Sequence, residues 1–431
     1  MTAEIAILNN HGIALAADSA VTIGSDKVYN SANKLFSLSK YNPVGIMVYD
    51  SADLIGIPWE IIIKEFRAEL GSEEYDTLQE YADHFWEFVS QNNQVIPKEN
   101  KDNYILHQAI TYLNSLFSEL EKSASNIIQD EGETNLNQSI STLVSLIGQH
   151  EDILSQTPFL EKLNEDYAVE LLGNWRDEFL GLCEQKLGEV FLSIEEEDKS
   201  RLIRLISLLF VKDKFLLRSS GVVIAGFGKE EMFPKISSYI IEGVFTNKVK
   251  MKFENNKSNT HENNFVTTII PFAQDEMVWT FLSGVDPDVE KFASDYINNI
   301  FNLYPGVLEA SDFDISEETM QLIRTKLLEY REAIVSDYNK EILNFRRANN
   351  SKPIIDMVGV LPKDELAAMA ESLVNLTVFK RRVTKSVETV GGPIDVAIIS
   401  KGDGFIWVKR KHYFKPELNP QFFSNYYKGG V

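Results

Sequence analysis

The sequence predicts an α+β fold of antiparallel sheets with helices collected on their outer faces. Strand-like segments fall into three groups, two long helical stretches separate those groups, and the first and last groups carry short hairpin turns. Residues 4 to 53 hold EIAIL, GIALAA, NKLFSL and VGIMVY, with turns at Asn9-Asn10-His11-Gly12 and Tyr41-Asn42-Pro43. Residues 54–216 lose the strand period. EEYDTLQEYADHFWEFV and DEFLGLCEQKLGEVFL there repeat apolar residues at three and four, which predicts a helical insertion. Strands resume in SGVVIAGFG, KISSYIIEGVF and NNFVTTIIPF.

A second helical stretch, 274–382, contains SEETMQLIRTKLLEYREAIVSDYNKEILNFRR. Ser316 is its expected N-cap, with Glu317 and Glu318 in the first turn, where the helix dipole favours negative charge. Region 383–411 closes with a hairpin of PIDVAIIS and FIWVKR around Asp403-Gly404, a strong turn signal. The tail, 412–431, is aromatic without a period and reads as a strap over the surface. The expected organisation is one domain, 1–431, enlarged by helical insertions.

Composition narrows the function classes. The 431 residues carry 64 acidic and 42 basic side chains, a formal net charge of −22. Such a surface repels phosphates, so no nucleic-acid partner is expected. The single Cys183 excludes a disulfide framework and a four-thiolate zinc site. LIRLISLLFV, the best apolar run, contains Arg204 and is too short to span a bilayer, so no membrane association is expected. The start lacks a basic and apolar leader, and the expected compartment is the cytoplasm. Six scattered histidines form no His-Glu-x-x-His, and Gly226-Phe227-Gly228 lacks the third glycine of a nucleotide loop. Neither a metal nor a cofactor is expected.

The first strand begins almost at the initiator. If Met1 is removed, Thr2 carries a hydroxyl and a free α-amine, a nucleophile and a base in one residue. A first hairpin centred between Asn10 and His11 sets residue 2 opposite residue 19, beside Asp18 and Ser19. A second, centred near Tyr41, sets Lys34 opposite residues 48 and 49. Thr2, Asp18 and Lys34 then gather at one end of a sheet if the two hairpins adjoin.

Thr2, GIALAADS and NKLFSL resemble the proteasome-type N-terminal nucleophile (Ntn) hydrolases, the proteasome β subunits and bacterial proteasome-like peptidases. Thr2, Gly12, Asp18 and Lys34 match that family's pattern without a gap. Three blocks, about 165 residues in all, carry the resemblance, the others being GVVIAGFG with PKISSYIIEGVF and GGPIDVAIISKGDGFIWV. It implies a four-layer α/β/β/α sandwich of two antiparallel sheets, enlarged by helical insertions. It also implies a threonine peptidase or amidohydrolase: Thr2 as nucleophile, Lys34 and Asp18 as electrostatic support, the Tyr49 N–H in the oxyanion hole and Met47 facing the substrate pocket. A peptide or amide substrate and a homo-oligomer follow from the same resemblance; a partner ATPase is not identified.

The chain departs from the family at several points. Tyr49-Asp50 stands where the family has two glycines, so Asp50 brings a negative charge to a site that must stabilise an oxyanion. Phe272-Ala273-Gln274-Asp275 and Val387-Glu388-Thr389-Val390 replace two serine-containing turns. Gln274 is the candidate for orienting the amine, and Glu388 for replacing an acidic residue of the family. Two alternatives stand beside the hydrolase: a catalytically inactive scaffold or binding protein on the same fold, and a small-molecule amidase.

Overall fold

Turn chemistry sets the first hairpin, and its register is the one that a turn at Asn10-His11 requires: β1 (Glu4–Asn9) pairs with β2 (Gly12–Ala17) through Glu4↔Ala17 and Ile5↔Ala16. The computed structural model describes all residues except 1, 24–26, 132–135, 261–265, 311–315, 385–389 and 428–431. A small ribbon of β3 (Val21–Ile23) and β4 (Lys27–Tyr29) follows, then the second hairpin, β5 (Leu35–Ser37) and β6 (Val44–Tyr49). Leu35↔Met47 is a pair of that hairpin, as a turn near Tyr41 requires. β7 (Asp53–Leu54) and β8 (Ile57–Pro58) form a second ribbon.

Six helices come next: α1 (Trp59–Leu70), α2 (Leu78–Gln91), α3 (Lys98–Glu131), α4 (Leu136–Gln156), α5 (Glu165–Ser193) and α6 (Glu196–Leu208). Strands β9 (Ser220–Gly226), β10 (Lys235–Phe245), β11 (Lys248–Phe253) and β12 (Thr268–Pro271) precede α7 (Glu276–Ser283), α8 (Pro287–Glu309), α9 (Glu317–Arg346), α10 (Lys352–Val358) and α11 (Lys363–Val383). The Ser316 side chain accepts from Thr319 N at the start of α9, the expected cap. β13 (Asp395–Ser400), β14 (Gly404–Lys409) and α12 (Pro420–Tyr427) end the chain, so the tail expected as a strap contains a helix. Pro420 at its first turn suits a helix start, where no N–H partner is needed.

Two five-stranded sheets result, β12-β1-β2-β13-β14 and β11-β10-β9-β6-β5. Every pairing with a recorded register in them is antiparallel, and the fold is α+β. The chain divides into two compact units. One comprises Met1–Ala32, Glu262–Ile398 and Ile406–Val431; the other comprises Asn33–His261 and Ile399–Phe405. In the first unit, Ile5, Ile7, Ala14 and Ala16 form a core with Leu366, Ala370 and Leu373 of α11. In the second, Ile46, Val48, Val222 and Ile224 pack with Trp59, Ile62 and Phe66 of α1 and with Phe85 of α2. The helices α3 to α6 gather a further core around Leu113, Phe179 and Ile206. No helix among the described residues is long and apolar enough to cross a membrane.

β11 was not expected from the sequence, although KVKMKF alternates. Lysines at every second place suggest an outward face, yet Lys250 is fully buried. Its ammonium donates to Glu242 Oε1 at 2.8 Å and to the Lys214 carbonyl at 2.7 Å. Glu242 also accepts from the Tyr104 hydroxyl and from the N–H groups of Leu216 and Leu217. Burial pulls the Lys250 ammonium below its usual range, and Glu242 opposes that shift. Replacing Glu242 by Ala leaves the buried Lys250 charge and two part-buried N–H groups without this acceptor. We expect a loss of about 3–5 kcal/mol in urea unfolding, of which the double variant Glu242→Leu/Lys250→Met recovers a large part.

Candidate functional site

The first strand fixes the position of Thr2. Extending the β1–β2 pairs by two residues brings Thr2 opposite Ser19, and β12, the other neighbour of β1, ends at Pro271, three residues ahead of Gln274. Thr2 is 3% exposed. The Asp18 carboxylate accepts three backbone N–H groups: Ala3 at 3.1 Å, Ala20 at 3.3 Å and Gly391 at 2.8 Å. Asp18 N donates in turn to the Ala3 carbonyl at 3.1 Å. Ser19 continues the tie, its N–H donating to the Gly391 carbonyl at 3.1 Å and its hydroxyl to the Pro393 carbonyl. The Ser19 hydroxyl is thus a donor in the framework.

Gly392 has φ of +78°, and a Cβ there would lie 2.8 Å from the Asn30 Cβ, so this loop needs glycine. Gln274 is buried, and neither its side-chain oxygen nor its nitrogen has a hydrogen-bond partner. Such a group costs roughly 1–3 kcal/mol for each polar atom left unsatisfied. Glu388, the other candidate from the late loop, lies outside the described residues.

The remaining candidates belong to the second unit. Lys34 is buried just ahead of β5, and its carbonyl accepts Val48 N at 2.8 Å. Met47 is fully buried. Tyr49 lies opposite Gly221 with its ring over that residue; a Cβ on Gly221 would fall 1.9 Å from the ring. The Tyr49 hydroxyl donates to Glu254 Oε2 at 2.6 Å, and burial, followed by the Glu254 charge, raises the phenol far above its usual range. Asp50 has φ of +67°, a conformation that favours glycine. Arg218 donates to its carbonyl at 2.9 Å and holds the turn. Partial desolvation raises the Asp50 carboxyl, while Lys257 and Arg218 oppose the shift.

Sequence reasoning did not single out Arg218, Glu254 or Gly391. The first two meet the Tyr49–Asp50 turn only through pairings 168 and 205 residues apart. Three carboxylates, Glu276, Asp286 and Asp288, lie close enough to share a cation, but Lys380 already bridges Glu276 and Asp286.

No protein-family model matches the chain, and no curated protein matches its sequence. Among solved structures it is similar to Anbu (ancestral beta-subunit) from Yersinia bercovieri, with 9% sequence identity and a TM-score of 0.27 over 99% of this chain and 95% of that one.

The Asp18 tie generates a prediction that does not depend on activity. Asp18→Ala strips the acceptor from three backbone N–H groups, and we expect a loss of at least about 2 kcal/mol in chemical unfolding. Amide hydrogen exchange at Ala3 and Gly391 accelerates in the same variant, while exchange in α3 to α6 does not change.

Proposed function

We propose that the protein is an N-terminal threonine amide hydrolase, a proteasome-like peptidase in which removal of Met1 frees Thr2. The observation that carries the reading is the buried, unpartnered Gln274 amide, three residues beyond the end of the strand that pairs with β1. An amide kept there at a cost has a partner to gain, and the freed α-amine of Thr2 supplies one.

The chemistry follows from ordinary pKa values. An α-amine titrates near about 7.7–8.0, so it takes a proton readily at neutral pH. In the proposed reaction it removes the Thr2 hydroxyl proton as Oγ attacks the carbonyl carbon of an amide. The proton passes to the leaving amine as the C–N bond breaks, leaving an ester on Oγ. Water, activated by the same amine, then cleaves the ester and restores Thr2. Lys34 supplies positive charge for the developing alkoxide, and Asp18 holds the strand that carries the nucleophile. The oxyanion donor is assigned to the Tyr49 N–H, and Met47 to the pocket for the substrate side chain. No cofactor or metal enters this scheme. A homo-oligomer in the cytoplasm belongs to the same proposal.

A second reading, an inactive scaffold, rests on Asp50. A carboxylate at the end of the strand assigned to the oxyanion works against negative charge developing there. A small-molecule amidase is the third reading, distinguished by turnover of simple acyl amides without peptide cleavage.

Intact mass of protein expressed without an N-terminal tag tests the premise, and we expect a loss of one methionine. Retention of Met1 would leave no free amine and would make the scaffold the better reading. With Met1 removed, Thr2→Ala is expected to lower amide hydrolysis by roughly 10³-fold or more, while Thr2→Ser keeps measurable activity.

A separate measurement addresses Asp50. Asp50→Gly relieves the left-handed conformation and removes the charge, and we expect an increase in kcat of about 10-fold, equivalent to about 1.4 kcal/mol off the barrier. An inert variant with intact folding would favour the scaffold.

A further inference from the structure

A cleft of about 450 Å³ lies within the second unit, among the first turns of α3, the β7–β8 ribbon and the segment ahead of β9. Its size falls in the range of roughly 300–1,000 Å³ typical of small-ligand sites. Ser51, Asp53, Asn100, Asn103, His107 and Arg218 bring polar side chains to its wall. None of them is assigned to the proposed reaction. Ser51 is only 7% exposed, yet its hydroxyl has no hydrogen-bond partner among the described residues. The side chains of Asn103 and His107 have none either. Buried polar groups in folded proteins are paired, so a hydroxyl kept this way in a cleft wall points to a ligand.

Asn100, Asn103 and His107 stand three and four residues apart, on one face of α3. From first to last they span about 10.5 Å at about 1.5 Å per residue, the length of about three residues of extended chain. The ribbon beside them is held firmly. Ile55 and Gly56 form its two-residue turn, with φ of +45° and +85°. A β-branched residue is strained there, and the Asn100 amide fixes it by donating to the Ile55 carbonyl at 3.0 Å. A wall set in this way has little ordering left to do on binding. Charge then selects the ligand. Glu242 reaches the cleft, but it already accepts from Lys250, the Tyr104 hydroxyl and the N–H groups of Leu216 and Leu217. Arg218 has no carboxylate within ion-pair distance among the described residues; one N–H goes to the Asp50 carbonyl, and the rest of its fork is free. Asp53 uses one oxygen to accept Gly56 N at 3.1 Å and keeps the other.

We propose that this cleft binds the carboxylate end of a short peptide. The terminal carboxylate pairs with the Arg218 guanidinium, whose planar fork suits two parallel hydrogen bonds. The peptide N–H groups give Asp53 and the carboxamide oxygens their donors, and its carbonyls receive the Ser51 hydroxyl and the Asn103 amide. Phosphate fits worse. It carries no N–H, so Asp53 would face it as a like charge. A free amino acid offers the same carboxylate but not the length of the α3 wall. The inference uses neither Thr2 nor its amine, so it stands apart from the hydrolase reading.

Isothermal titration calorimetry on the full chain tests the proposal, with trialanine, trialanine amide, alanine and inorganic phosphate as probes. Trialanine is expected to bind saturably, and its amide and alanine to bind weaker by roughly 10-fold or more. Arg218→Gln lowers the affinity for trialanine by a similar factor and changes that for the amide far less, a coupling that a merely loosened turn would not give. Asn103→Asp, at an exposed position of α3, also weakens trialanine by roughly 10-fold and carries the test if the first variant misfolds. Thr2→Ala, which removes the proposed nucleophile, leaves this binding intact and so separates the two proposals. No saturable heat with trialanine at millimolar concentration would overturn the inference. So would phosphate or alanine binding at least as tightly as trialanine, or binding that neither substitution changes.

Discussion

One carboxylate holds the first unit in place. The N–H groups of Ala3, Ala20 and Gly391 come from the entry to β1, the exit from β2 and the loop ahead of β13, and all three end on Asp18. Buried backbone donors must be paired somewhere, so the meeting of these three stretches is decided by where that carboxylate stands. Asp18 N returns a bond to the Ala3 carbonyl, and Ser19 N another to Gly391, which makes the tie reciprocal. Because β1 begins where this knot ends, Thr2 has little freedom: it is buried, and the β1–β2 register carried on by two residues sets it opposite Ser19. The glycine at 392 belongs to the same constraint, since a side chain there would collide with Asn30.

The sequence made local pairings legible and remote ones illegible. Both hairpin registers follow from their turns: the positions of Asn10-His11 and Tyr41 decide which residues face each other, and the observed pairs agree. The Ser316 cap is local in the same sense, a hydroxyl reaching an N–H three residues on. The adjacency of β6 and β9 is different. Both strands are largely apolar, both are buried, and nothing in either segment says that Tyr49 faces Gly221. Only the glycine hints at it, because a ring lying across the sheet needs a neighbour without a side chain. β11 was hidden for another reason. Its lysines advertise solvent, and the acceptor that makes Lys250 tolerable is on the neighbouring strand, eight residues earlier.

The candidate site shows the same division. Thr2, Asp18 and Ser19 were placed by arithmetic on one hairpin, but the job of Asp18 was not foreseeable: its ligand from Gly391 lies 373 residues away. Nor was the tie from Ser19 to the Pro393 carbonyl, which spans 374 residues. Lys34 was placed correctly within its own hairpin, opposite Val48, which is as far as hairpin arithmetic reaches.

Two costs remain that packing does not explain. The buried position 274 would be better served by an apolar side chain than by an amide with both polar atoms unpaired, a difference of roughly 1–3 kcal/mol per atom. A turn at residue 50 would be better served by glycine than by aspartate at φ of +67°, a difference of about 1 kcal/mol. Net stabilities of folded domains are only about 5–15 kcal/mol, so costs of this size are not negligible. The two positions pull the functional argument in opposite directions. In the proposed hydrolase, the unpaired Gln274 amide has polar atoms able to receive the α-amine that removal of Met1 would free. In the same proposal, the aspartate carries the wrong charge for an oxyanion, which favours restraint. An enzyme whose activity is held back by one residue accounts for both; a scaffold accounts for the aspartate and leaves the amide unexplained.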